Sequence, residues 1–213
     1  MAKAKLDTEV RREQIAEAAL ALVAGQGLKR LSVAAVARQV GLVPSGIYRH
    51  FKSKDEILSA VLDRIERRLL ANVRAAREEN GDPLDCLRDV LMRHIRFIRE
   101  GRAIPRIIFS DDVHAGNPQR KQRVFQIFTR YTGHVAEIVR LGQRQGRIRR
   151  NLDVQTVTMM LFGIIVPAGI LWHLTEGRFD VTRHAQRAWR ILCSAIGIDR
   201  QKINKPARKK VAR

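Results

Sequence analysis

The sequence predicts an all-α chain. Three observations carry that expectation. Apolar residues recur at helical spacing in almost every segment; the segments are punctuated by Gly, Asx-Pro or Ser N-cap signals; and no alternating apolar–polar run competes for a strand. The 213 residues are 45 % hydrophobic, enough for a packed core and too apolar for a disordered chain despite 29 % charged residues.

The first apolar set, Ile15, Ala18, Ala19, Leu22 and Val23, falls on one helical face, capped by Asp7 or Thr8 and ended by Gly25 and Gly27. A short helix follows from Ser32, its N-cap, to about Val40, and Gly41 closes it with the backbone freedom a sharp turn needs. Pro44 opens another short helix to His50, because its missing N–H costs nothing at a first helical position. Ser53 and Glu56 form a capping box, each satisfying the other's free backbone donor. They launch a long helix through Ile57, Leu58, Val61, Leu62, Ile65 and Leu69 to about Asn80.

Asp82-Pro83 starts a helix through Leu84, Leu87, Leu91, Ile95 and Ile98, which Gly101 ends. A short helix over about 104–109 and a loop over 110–116 precede the second such start, Asn117-Pro118. That one opens a helix through Val124, Phe128, Tyr131, Val135, Ile138 and Val139, ending between Gly142 and Gly146. Two more helices run roughly from Asp153 to Glu176 and from Asp180 to Ile196.

The stretch from Val157 to Trp172 is apolar on all sides, and its uncharged run approaches the roughly 20 residues a bilayer span needs. Pro167, the flanking Gln155, Thr156 and His173, and the small Gly163, Ala168 and Gly169 favour burial in a bundle or subunit interface, with no membrane partner. Met1 to Arg12 lacks an apolar signal region, and Cys86 and Cys193 are too few for a disulfide framework. A cytoplasmic protein is expected, with both cysteines as small packing residues.

Lys and Arg number 41 against 21 Asp and Glu, a net charge of +20. Residues 1–54 hold ten basic residues against four acids, and residues 200–213 hold seven with no acid at all. The expected organisation is a small basic unit over 1–54, a larger helical domain over 55–199, and a disordered basic tail over 200–213. Either a polyanion docks at the basic ends or they are solubilising surfaces.

From Ser32 to Phe51 the chain reads helix, tight turn, helix, inside a basic three-helix unit. Val36, Ile47 and Phe51 are expected to pack these helices onto the first one, leaving Ser45, Tyr48, Arg49 and His50 outward. A short second helix of this kind enters the major groove in helix-turn-helix proteins, although the same pattern also fits a structural hairpin with surface charges. Ser32, Ala37, Gly41, Ile47-Tyr48, His50-Phe51 and Lys54 resemble the DNA-binding domain of the TetR/AcrR (tetracycline-repressor-like) transcriptional regulators over about residues 8–60.

The resemblance implies that Ser32, Tyr48, His50 and Lys54 hold phosphates, and that Pro44, Ser45 and Gly46 lie where base edges are approached. The chain departs from the family at Val43, where Ser is frequent, and at Ser45-Gly46, where Gly followed by Thr or Ala is usual. Val43 is a poor N-cap, and residues 44–46 include no Arg, Asn or Gln for bidentate base reading. Arg49 faces outward, where a plain solvated residue is the first reading and a base reader the alternative, and some specificity is expected from DNA shape. Lys3 and Lys5 fit equally a flexible arm that reaches a groove or phosphate and a plain solvated terminus.

The resemblance further implies that the remaining helices dimerise and hold a small-molecule effector. Interface candidates are Leu161, Ile164, Ile165, Ala168 and Trp172 on one helix, with Ala188, Ile191, Leu192 and Ala195 on the next; packing within one subunit is their alternative. Pocket candidates are His94, Phe97, Phe109, Phe125, Phe128 and His134, suited to an apolar or aromatic ligand. Asp111, Asp112 and His114 are metal-ligand residue types without a partner set at recognisable spacing, so no metal is expected. No Gly-rich phosphate loop, nucleophile elbow or His-Glu-x-x-His is present, so neither catalysis nor a cofactor is expected. The expected function is a homodimeric repressor, released from palindromic double-stranded DNA by a small molecule. The +20 charge also permits a nonspecific, charge-driven nucleic-acid binder, and the bundle alone permits a ligand carrier.

Overall fold

The computed structural model describes residues 8–101, 107 and 118–198. Among them run α1 (Thr8–Gln26), α2 (Val33–Gln39), α3 (Pro44–Tyr48), α4 (Lys54–Glu79), α5 (Pro83–Glu100), α6 (Pro118–Arg144), α7 (Val154–Leu174) and α8 (Val181–Ile196), with a 3-10 turn at Leu28–Arg30. Phe109, the metal-type residues Asp111, Asp112 and His114, the Lys3 and Lys5 arm, and the basic tail lie outside the described residues.

Side-chain caps set the helix starts. Ser32 Oγ accepts from the Ala35 N–H at 3.1 Å and Ser53 Oγ from the Glu56 N–H at 3.2 Å. Asp82, Asp153 and Asp180 do the same for α5, α7 and α8, each cap contributing about 1 kcal/mol. The expected capping box is altered in one detail. Glu56 Oε2 accepts from the N–H of Lys52 at 2.8 Å, one residue before the cap, so it holds the approach to α4 rather than Ser53 itself. Between α2 and α3, Gly41 sits at φ +68°, a left-handed conformation that residues with a Cβ adopt at a cost.

In the N-terminal unit α1 packs on α4 and α2, and α2 packs on α3. Ile15, Ala19, Val23, Val36, Ile47, Phe51, Ile57 and Leu58 are buried there. The same α4 continues into the second unit, where it meets α5 and α6, and Leu69, Val73 and Ala76 are buried against them. One apolar core therefore runs through both units, with α4 as the shared element. Past α6 and α8 the backbone of Ile148 pairs in an antiparallel bridge with that of Gly197.

Arginines of α6 clamp it along α4. Arg120 meets Asp55 at 2.7 Å, Arg123 meets Asp63 at 2.6 Å and also Glu66, and Arg130 meets Glu66 at 2.9 Å. Glu66 is 6 % exposed, and its two cationic partners offset the cost of burying the carboxylate.

α7 decides between two readings that its sequence leaves open. It is long and apolar enough to cross a membrane by length and composition, yet it packs on α5, α6 and α8. Leu161, Ile164, Ile165 and Ala168, expected at a subunit interface, are buried in their own subunit, as is Leu192 of α8. The opposite side of α7 is apolar and exposed through Met159, Met160, Val166, Leu171 and Leu174, and Ile191 of α8 is 72 % exposed.

Candidate functional site

The candidate DNA-reading surface is built on α3. Ile47 and Phe51 are fully buried and fix the helix from beneath. Ser45 and Arg49 are exposed, Tyr48 is 55 % exposed, and Gly46 is half-buried against Leu42. Pro44 is the first helical residue; Val43 before it is exposed and gives no side-chain cap, as its chemistry requires. Ser32 already spends one lone pair on α2, and its exposed hydroxyl proton remains available to a phosphate oxygen. Lys54, half-buried, begins α4 beside this surface.

His50 departs from the outward placement. It is half-buried, with Nδ1 buried and unpartnered. Its carbonyl accepts from the guanidinium of Arg12, which also lies 4.2 Å from the centroid of the Phe51 ring. Arg12 is a positioning residue for α3 that the local sequence gave no sign of, because its partners lie 38 and 39 positions away.

Electrostatics favours an anion on this side. Glu13 and Glu17 are engaged by Arg64 and Arg67 of α4, and Asp55 is engaged by Arg120. Lys29, Arg30, Arg38, Arg49 and Lys52 are all exposed around the two short helices. Glu13, Glu17 and Asp55 are thus neutralised by arginine partners while these five cations stay exposed, a distribution that raises local affinity for phosphate backbone.

In the second unit the candidate pocket residues separate. His94 is buried, and its Nδ1 lies 3.0 Å from the Tyr131 hydroxyl. Burial pushes the His94 pKa down to about 4 and pushes that of Tyr131 up, so both are neutral at pH 7. Phe162 stands edge-on to both His94 and Tyr131, and Phe128 packs edge-on to Phe162 with centroids 5.4 Å apart. Phe97 is buried, but Arg68 covers its ring at 4.7 Å on the α4–α5 seam. Phe125 is 65 % exposed and His134 sits beside Glu137 on the surface of α6, so neither lines an interior; both occupy the outer side of a helix whose inner side is Ile127, Tyr131 and Val135. Tyr131 and Phe162 join this cluster although the sequence reading does not single them out. A buried histidine needing a partner was the available signal, but the partner lies 37 positions away.

A two-helix reader on a basic surface, joined through α4 to a helical bundle with a neutral polar pair at its centre, defines the class: a DNA-binding regulator. Residues 15–61 match the family described as bacterial regulatory proteins, tetR family, and residues 62–195 match the YsiA-like protein, C-terminal region. The chain belongs to the TetR family of transcriptional regulators. It is similar to the fatty acid metabolism regulator protein of Bacillus subtilis (strain 168), 23 % identical over 183 residues, 86 % of this chain and 94 % of that protein. The nucleoid occlusion factor SlmA of Vibrio vulnificus (strain YJ016) is 25 % identical over 189 residues, 87 % of this chain and 95 % of the relative. Among solved structures, FadR of Bacillus subtilis in complex with stearoyl-CoA superposes with a TM-score of 0.75 at 23 % identity, covering 86 % of this chain and 98 % of that one.

Proposed function

We propose that this regulator is a homodimeric repressor that docks α3 in successive major grooves of a palindromic operator and leaves DNA when a small apolar ligand enters the bundle. The observation that carries the DNA part is the split of α3, with Ile47 fully buried beneath it and Ser45, Tyr48 and Arg49 exposed above. Ser32, Tyr48 and Lys54 act as phosphate contacts, Pro44, Ser45 and Gly46 approach base edges, and His50 supports α3 more than it touches DNA. With no bidentate reader at 44–46, base discrimination falls to Arg49 and to DNA shape.

The exposed apolar strip of Met159, Met160, Val166, Leu171, Leu174 and Ile191 supports dimerisation through α7 and α8, since a two-fold pairing of such strips presents two recognition helices to two half-sites. The interior around His94, Tyr131, Phe128 and Phe162 supports an apolar effector with one polar group for the neutral pair. The stearoyl-CoA bound to the Bacillus subtilis FadR makes long acyl chains the first ligands to try. Cytoplasmic location and the absence of catalysis complete this reading.

Selection from random duplex DNA at about 150 mM salt, where counterion competition suppresses nonspecific association, tests the proposal. A recovered palindrome is the expected result, and a folded Tyr48→Ala/Lys54→Ala double variant then binds it at least about tenfold more weakly. Unenriched DNA from the same selection would instead support charge-driven coating.

A further inference from the structure

We propose a second ligand site at the corner between α7 and α8, which takes a small organic anion: a phosphate or carboxylate carried on a flat aromatic body. A cleft of about 700 Å³ opens there, lined by Arg99 from the end of α5, Trp172 from the last turn of α7, Arg178 and Phe179 from the corner, and Thr182 and Arg183 from the first turn of α8. That volume is in the range of clefts that hold small molecules.

The charge balance of the cleft points to an anion. Some arginines elsewhere, such as Arg64, Arg93, Arg123 and Arg147, are matched to carboxylates, and others, such as Arg38 and Arg190, stand singly on the exposed surface; here three are gathered on one cleft. Arg99, Arg178 and Arg183 have no carboxylate within ion-pair distance among the described residues. The one acid at the rim, Asp180, is committed to α8, where its Oδ1 accepts from the backbone N–H of Arg183 at 2.9 Å. Two of the guanidiniums are held in position by neutral acceptors. Arg99 Nη1 donates to Thr182 Oγ1 at 3.3 Å, and Arg178 Nε donates to the Thr175 carbonyl at 3.2 Å. Their remaining N–H groups are the planar fork that binds phosphate and carboxylate oxygens in pairs.

The aromatic wall is equally fixed. The chain turns at Gly177 with φ +89°, and a Cβ there would lie 3.0 Å from the Trp172 ring, so any other residue would strain the backbone and push the indole back. The Gly177 N–H donates to the Trp172 carbonyl at 2.8 Å, and the Phe179 N–H donates to Thr175 Oγ1 at 2.9 Å. A braced corner holding two rings and three cations loses little entropy when a ligand arrives. The cleft lies beyond the end of α5 and is separate from the His94–Tyr131 interior.

Trp172 is its own reporter, since the chain has only two tryptophans. Full-length Trp189→Phe protein is titrated with ADP and, separately, with 1-naphthoate at constant ionic strength. The expected result is a saturable change in Trp172 emission with at least one probe, weakened about tenfold by Arg99→Gln/Arg183→Gln. A response to ADP alone identifies phosphate recognition; a response to naphthoate alone identifies a carboxylate site. Calorimetric titration of the wild-type chain and the Arg99→Gln/Arg183→Gln variant, with Trp189 kept, repeats the comparison without the tryptophan change. Absence of saturable binding of either probe up to about 5 mM overturns the proposal, because affinity below that level is no more than nonspecific attraction. Binding that the double variant leaves unchanged overturns it as well.

Discussion

The guanidinium of Arg12 on α1 lies 4.2 Å from the centroid of the Phe51 ring while donating to the carbonyl of His50. One side chain therefore ties the two residues just past the C-terminal end of the recognition helix to α1. Arg12→Ala removes a stacked cation and a charge-assisted hydrogen bond, a loss of about 1–2 kcal/mol in stability. Operator affinity is expected to fall about tenfold while secondary structure is retained, because α3 loses its orientation before it loses its fold. Unchanged affinity in a gel-shift titration would show that Phe51 alone suffices.

His94 predicts an acid-side loss of stability. Its folded pKa, about 4, lies below the ordinary 6.5, since burial disfavours the charged ring. As pH falls below 6.5 the unfolded chain takes up a proton that the folded chain refuses, so stability declines from there until about pH 4 and then levels off. The expected loss is about 3 kcal/mol. In His94→Gln that part of the pH slope disappears, and urea titrations between pH 7 and pH 4 read the difference.

Glu66 joins α4 to two arginines of α6. Glu66→Gln leaves Arg123 with Asp63 and leaves Arg130 to water, which reduces the cost below that of a fully buried pair to about 1–2 kcal/mol. Because α4 begins beside α3, the variant is expected to change operator affinity as well as the melting temperature. A melting shift with no change in DNA binding would separate the clamp from the reader.

Ile191 and Leu174 are more than two-thirds exposed on the apolar strip of α7 and α8. Ile191→Asp/Leu174→Asp is expected to give a monomer by light scattering at micromolar concentration with the helical spectrum intact, since charges depleted from interface cores oppose their closure. Operator binding would weaken with it. A dimer surviving both changes would place the interface elsewhere.

The helix order was legible in the sequence because the stop and start signals act locally. Ser32, Ser53, Asp82, Asp153 and Asp180 cap helices within three residues of themselves. What crosses the fold was not legible. Arg120, Arg123 and Arg130 find acids about 60 positions back, and Arg99 finds Thr182 across 83 positions. In α7 the difficulty was of another kind. A helix apolar all round does not announce which side its own subunit covers, so its sequence leaves Leu161 and Ile165 open between subunit interface and core and gives no sign that Met159 and Met160 are the exposed ones. Phe125 fell to a similar ambiguity, an aromatic residue on the water side of an amphipathic helix.

α4 contains 26 residues in one uninterrupted helix, about 39 Å at 1.5 Å per residue. Its first turn adjoins the reader and its last turn adjoins the far end of the bundle, so it acts as a lever arm. A tilt of about 5° about one end carries the other through roughly 3 Å, comparable to the rise of one base pair in a duplex whose grooves repeat every 34–36 Å or so. In a two-fold pair both arms would swing, doubling the mismatch. In the proposed two-fold pair, a tilt of α4 of this size would put two reading heads out of step with their grooves without unfolding either one.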